Sequence, residues 1–160
     1  NFPRELLPIT LILQDMIHFL FSIPVIVLFL FLYGKTPSFS WLYGIPILLI
    51  SQFLMMCGIC LVIASTNLFF RDLERLTAIA VTLLFYFTPI FYPESMVPEK
   101  FQHFLALNPL SHLIINWRNM FLYGRIDFTF LSISVAYSFA SFAVGYIVYR
   151  KLFWRFAEVI

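Results

Sequence analysis

Glu94, Glu99, His103 and His112 are four acid–base groups that fall within one segment of mixed polarity. Carboxylates and imidazoles together can carry out general acid–base chemistry, such as hydrolysis or acyl transfer on a membrane-bound substrate. Their spacing matches no catalytic motif, and the same groups serve as contacts for polar lipid headgroups. Asp15 and His18 form a second candidate, one helical turn apart inside a long apolar run. Ionisable groups at membrane depth are expensive and mark functional positions. This pair either satisfies itself at i, i+3 or lines a watered path. A third group, Arg71, Asp72, Glu74 and Arg75, is a compact charged island between two apolar runs. It can contact a moving partner or anionic headgroups, or simply anchor a solvated turn.

Aromatic residues offer a different chemistry. Phe85, Tyr86, Phe87, Phe91 and Tyr92 crowd the end of one apolar run. The C–H faces of sugar rings pack on such rings, so the cluster can guide a saccharide. It can equally form part of the aromatic belt at a membrane surface, to which Tyr33, Trp41 and Tyr43 are also assigned. Two apparent motifs carry no chemistry. Gly34-Lys35-Thr36 ends like a phosphate-binding loop, but Phe29 stands where the first glycine is required. Cys57 and Cys60 form C-x-x-C inside an apolar helix with no other cysteine to complete a metal site, so they are read as small packing residues.

The elements that hold these groups follow from composition. The 160 residues are 62% hydrophobic and 11% charged, with a mean hydropathy of +0.93. Globular chains carry about 25% charged residues, so a soluble domain is excluded. The net charge of +2 is too small to suggest a nucleic-acid partner. No signal peptide is visible, and the first residue is Asn1 rather than Met, which fits a fragment lacking its natural start. Roughly 20 apolar residues of helix cross a bilayer core, and four such spans are predicted: Ile9–Tyr33, Trp41–Ser65, Leu76–Tyr92 and Phe128–Tyr149. The expected fold is an all-α, polytopic transmembrane domain over residues 1–160. Pro24 and Pro46 fall inside spans, where they are tolerated as kinks.

Four spans put both termini on one side. On the cytoplasmic side they would group Arg4, Arg71, Arg75, Arg150, Lys151 and Arg155 against Lys35, Lys100, Arg118 and Arg125 outside. The positive-inside rule favours that orientation.

The stretch from Thr88 to Arg125 obeys neither pattern, being too polar to span and too apolar for an ordinary loop. Val97-Pro98-Glu99 predicts a helix start with proline at the first helical position and an acid in the first turn. Asn108-Pro109 predicts a second, with Asn as N-cap. From there Leu110, Leu113, Ile114, Trp117 and Phe121 recur at helical spacing, with His112, Asn116 and Asn119 on the opposite side. Neither helix is long enough to cross. The pair either lies flat at the interface or dips in as a re-entrant hairpin.

Six short motifs now stand in order around the spans. They are Asn1-Phe-Pro-Arg-Glu-Leu-Leu-Pro8, Asn67-Leu-Phe-Phe-Arg-Asp-Leu73, Thr88-Pro-Ile-Phe-Tyr-Pro93, Val97-Pro-Glu99, Leu107-Asn-Pro-Leu110 and Phe156-Ala-Glu-Val-Ile160. In this order and spacing the chain resembles the membrane subunit of type-2 ABC exporters for polysaccharides, O-antigens and teichoic acids, and the resemblance covers nearly its whole length. It implies a permease rather than an enzyme, exporting a lipid-linked glycan across the bacterial cytoplasmic (inner) membrane. The implied partners are an ABC ATPase subunit, a second permease copy in a homodimer, membrane lipids and the glycan. No cofactor is implied in this chain, since ATP and Mg belong to the ATPase.

By the same resemblance, Phe2, Pro3, Arg4 and Glu5 couple to the ATPase, and Asn67, Arg71, Asp72 and Arg75 form a cytoplasmic loop. Asp15, His18, Tyr86, Phe87, Phe91 and Tyr92 are candidates for the substrate path. Residues 93–123 would form an outer gate carrying Pro93, Pro98, Asn108, Pro109, Trp117 and Arg118. Two departures from the family pattern are that the amino-terminal helix and first two spans are missing, and that the acid often found near His18 is here Asp15. The alternatives are an exporter of drugs or small lipids, a membrane-embedded enzyme acting on lipid-linked sugars, and a non-transporting assembly subunit.

Overall fold

Apolar runs satisfy their backbone groups as helix where no water is present, and most of the described residues are helical. The computed structural model describes residues 6–67, 70 and 72–157. These form α1 (Leu6–Leu32), α2 (Ser40–Asn67), α3 (Leu73–Phe87), a 3-10 turn (Glu94–Met96), α4 (Glu99–Leu107), α5 (Pro109–Tyr123) and α6 (Phe128–Ala157). No strand occurs among the described residues. The all-α expectation holds, and Pro24 and Pro46 lie inside α1 and α2.

Three helical segments are long and apolar enough to cross a membrane: Pro8–Leu32, Ser40–Asn67 and Phe128–Leu152. The third expected span departs from its predicted bounds. It is helical only to Phe87, so α3 has 15 residues, about 22 Å at 1.5 Å each. Thr88 ends it with φ −90° and ψ 134°, the extended conformation that a following proline enforces. The chain from Thr88 to Pro93 is therefore not helical.

α2 and α6 form the frame. They run in the same direction, with Gly44 beside Ile126 and Gly58 beside Ser141 and Gly145. A Cβ on Gly58 would collide with the Ser141 backbone, and one on Gly145 with that of Gly58. Small residues let two backbones touch, which in a bilayer replaces the missing hydrophobic drive between helices. The Ser141 hydroxyl donates to the Met55 carbonyl at 3.2 Å. Buried Ser134 and Ser138 donate within their own helix. α1 packs antiparallel on α2, through Ile12, Met16 and Cys57 at one end and Ile23, Leu48 and Trp41 at the other. Cys57 thus fills a helix contact, as its spacing suggested.

Candidate functional site

The segment between α3 and α6 is built from its two prolines outward. Asn108 caps α5 by accepting from the Leu110 N–H at 3.0 Å, with Pro109 in the first turn. The sequence expectation is met to the residue. α4 begins at Glu99, with Pro98 immediately before it, one position later than expected. Gly124 ends α5 in the left-handed region, at φ 64°, a conformation glycine adopts without strain.

α5 lies within the depth of the spans rather than across their ends. Its last turn is fastened where α2 begins. The Ser38 and Ser40 hydroxyls donate to the Gly124 carbonyl at 3.1 and 2.8 Å, and the Trp41 indole donates to the Met120 carbonyl at 2.8 Å. Further back, the Trp117 indole donates to Gln52 Oε1 at 3.1 Å and its ring meets Phe19 at 5.3 Å. Gln52 stands three turns into α2, about 18 Å along it. α5 thus packs alongside α2 over this length.

Burial explains why this depth is tolerated. Ser111, His112, Leu113, Ile115, Asn116, Trp117 and Met120 are all buried, so the polar side is covered as well as the apolar one. The Asn116 side chain donates to the His112 carbonyl and accepts from the Asp127 N–H, both at 3.2 Å. The carboxylate of Asp127 in turn caps α6 through the N–H groups of Thr129 and Phe130. The His112 ring packs against Phe130 and Tyr137.

The non-helical stretch after α3 is held by the same helix. Asn108 Nδ2 donates to the buried Thr88 hydroxyl at 2.9 Å. Arg118 Nη2 donates to the carbonyls of Pro89 and, at 3.0 Å, Ile90. Backbone freed by prolines at this depth must find protein partners, and α5 supplies them.

α4 is different. None of its residues is buried, and Phe101, Phe104 and Leu107 are exposed. Between the 3-10 turn and α4 on one side and α5 and α6 on the other lies an open cavity of about 800 Å³. Glu94, Glu99, Gln102, His103, His112 and Phe130 line it. The four acid–base groups therefore do share one cavity. No cluster of three His, Cys, Asp or Glu that could hold a metal occurs among the described residues.

The remaining candidates are scattered. Phe2, Pro3, Arg4, Glu5 and Arg71 lie outside the described residues. Asn67, Asp72 and Arg75 are exposed at the end where α2 stops and α3 starts. Asp15 and His18 are exposed on the side of α1 away from its buried Ile12 and Met16. No hydrogen bond between them is found among the described residues. Tyr86, Phe87 and Phe91 are exposed, and the Tyr92 hydroxyl donates to the Tyr86 carbonyl at 3.1 Å. Phe85 joins Tyr86 and Phe91 edge-to-face. Pro93 and Pro98 are exposed. Trp41 is a correction: it is buried rather than part of a belt, because its N–H has the Met120 carbonyl to meet. Thr88, Gln52 and the Asn116–Asp127 joint carry no sequence signal, since each partnership closes through space.

A family model described as ABC-2 type transporter matches residues 9–122. The chain is 43% identical over 159 residues to an O-antigen export system permease protein RfbA of Klebsiella pneumoniae, covering 99% of this chain and 61% of that protein. A second RfbA from the same organism is 42% identical over the same shares. One from Myxococcus xanthus is 27% identical over 128 residues, covering 79% of this chain and 49% of that protein. The chain thus spans about three fifths of the length of its Klebsiella relatives. No solved structure matches it significantly.

Proposed function

The chain belongs to the ABC-2 type transporter family, and from that premise we propose that it is the permease part of an exporter of lipid-linked polysaccharide of the O-antigen type. In this reading it works in the bacterial inner membrane as a homodimer driven by a separate ATPase subunit. The names of its relatives support the cargo. The observation that carries the mechanism is the re-entrant hairpin, in which α5 is fastened into the bundle and α4 leans on it uncovered. Both ends of the chain face the cytoplasm, and α3 with its extended continuation completes a fourth crossing. ATPase closure pushes on Phe2 to Glu5 and tilts the spans. Asp15 and His18 are exposed within a span, where lipid would be a costly neighbour. They face the second copy or the watered glycan path.

Because α5 is bonded to α2 and α6, the part of the hairpin free to move is α4 with its 3-10 turn. Gln102 on α4 and Phe130 on α6 both line the cavity. Joining Gln102→Cys to Phe130→Cys with a bifunctional maleimide should stop polysaccharide export while the permease–ATPase complex still purifies intact. Export at the uncross-linked rate would remove α4 from the gate.

A further inference from the structure

A second cavity lies on the other side of α5, against α1 and α2. It is an open, largely apolar groove of about 500 Å³, bounded by Phe19, Ile26, Met56, Leu110, Ile114 and Arg118. Its depth is that of the spans, since Phe19 and Met56 lie well inside α1 and α2. Arg118 is a cation set into an otherwise greasy wall. A charge at this depth is costly in isolation and pairs with another charge or with backbone carbonyls. The hydrogen bonds found for Arg118 among the described residues are both through Nη2, to the Pro89 and Ile90 carbonyls. Those acceptors are neutral and leave the positive charge uncompensated. A guanidinium has five N–H donors, so the Nε donor and the two on Nη1 remain, each able to donate singly to a phosphate oxygen.

We propose that this groove is a binding site for an anionic, phosphate-headed membrane lipid, with the head on Arg118 and one chain along Ile114, Leu110 and Met56. The occupant is a lipid rather than free phosphate because the walls beyond Arg118 are apolar and open at membrane depth. The Trp117 indole already donates to Gln52 Oε1, so that acceptor makes no demand on the chain. The site rests on the membrane-embedded reading of α5 and not on the identity of the exported glycan.

The test uses the full-length permease in nanodiscs of equal phosphatidylcholine and phosphatidylglycerol, with lipid retained after detergent exchange measured by native mass spectrometry. The wild type should retain phosphatidylglycerol over phosphatidylcholine by about fivefold, the factor expected from one basic group at an anionic headgroup. Arg118→Gln should abolish that preference, and Arg118→Lys should keep part of it. Ile114→Trp fills the groove while leaving the Arg118 contacts in place, so it should reduce total retained lipid even if Arg118→Gln fails to fold. Millimolar inorganic phosphate should not displace the lipid. Equal retention by wild type and Ile114→Trp overturns the proposal. So does displacement by inorganic phosphate, or cross-linking of groove residues between two permease copies in place of lipid. Export is a separate measurement, so loss of the glycan reading would leave this outcome intact.

Discussion

α4 and α5 follow one another in the chain, each starts at a proline, and each repeats apolar side chains at helical spacing, yet their surroundings are opposite. α5 buries seven residues on both its faces, whereas α4 buries none. Amphipathic pattern therefore does not decide which helix enters the bundle. Polar partners decide it. Asn116 meets the Asp127 N–H, the Trp117 indole meets Gln52, and the Met120 carbonyl meets the Trp41 indole. Glu94, Glu99, Gln102 and His103, on the 3-10 turn and α4, face an open cavity instead. The joint between the fixed and the loose arm is Asn108. That residue caps α5 and holds Thr88 at the same time.

The largest effect should come from the most enclosed ring of the fixed arm. Trp117 is 6% exposed, stacks on Phe121 at 5.4 Å and meets Phe19 edge-on. Trp117→Ala leaves a void and an unpartnered Gln52, and should lower unfolding stability in detergent by about 3–5 kcal/mol. A melting temperature unchanged from wild type would mean that α5 is not packed as described. Asn116→Ala should have an intermediate effect. It leaves the Asp127 N–H without its acceptor at the start of α6, a loss of roughly 1–3 kcal/mol. Amide hydrogen exchange should then quicken in α5 and the first turn of α6. Exchange quickening in α4 alone would reverse the assignment of fixed and loose arms.

Much of this hairpin can be read from residue types alone. Asn108-Pro109 predicts a capped start because the capping side chain and the proline act within one turn, and the structure places both there. The break before Pro89 is not anticipated, because the apolar run continuing to Tyr92 hides it when spans are drawn by hydropathy. The depth of α5 is not legible. It depends on Gln52, 65 residues away, and on Ser38 and Ser40, more than 80 away. No period or motif relates positions so far apart. The shared cavity of Glu94, Glu99, His103 and His112 is a middle case. The sequence groups them on one segment, but only the fold of α4 against α5 brings them around one space.

The smallest expected change is the sharpest test of the comparison. Phe104 has the size and helical setting of a core residue, yet it is 62% exposed, with its ring 6.4 Å from that of Phe101 one turn earlier. Truncation of an exposed side chain leaves no cavity, so Phe104→Ala should change unfolding stability by no more than about 0.5 kcal/mol. The same substitution type at Trp117 is expected to cost several times more, although the two sites lie on adjacent helices of similar composition. If both variants melt alike and near wild type, the distinction between a fixed and a loose arm fails. If Phe104→Ala is instead strongly destabilising in the membrane-reconstituted protein but not in detergent, α4 is covered there by a surface this chain does not supply. Cross-linking at position 104 would then test whether a second copy of the chain supplies it.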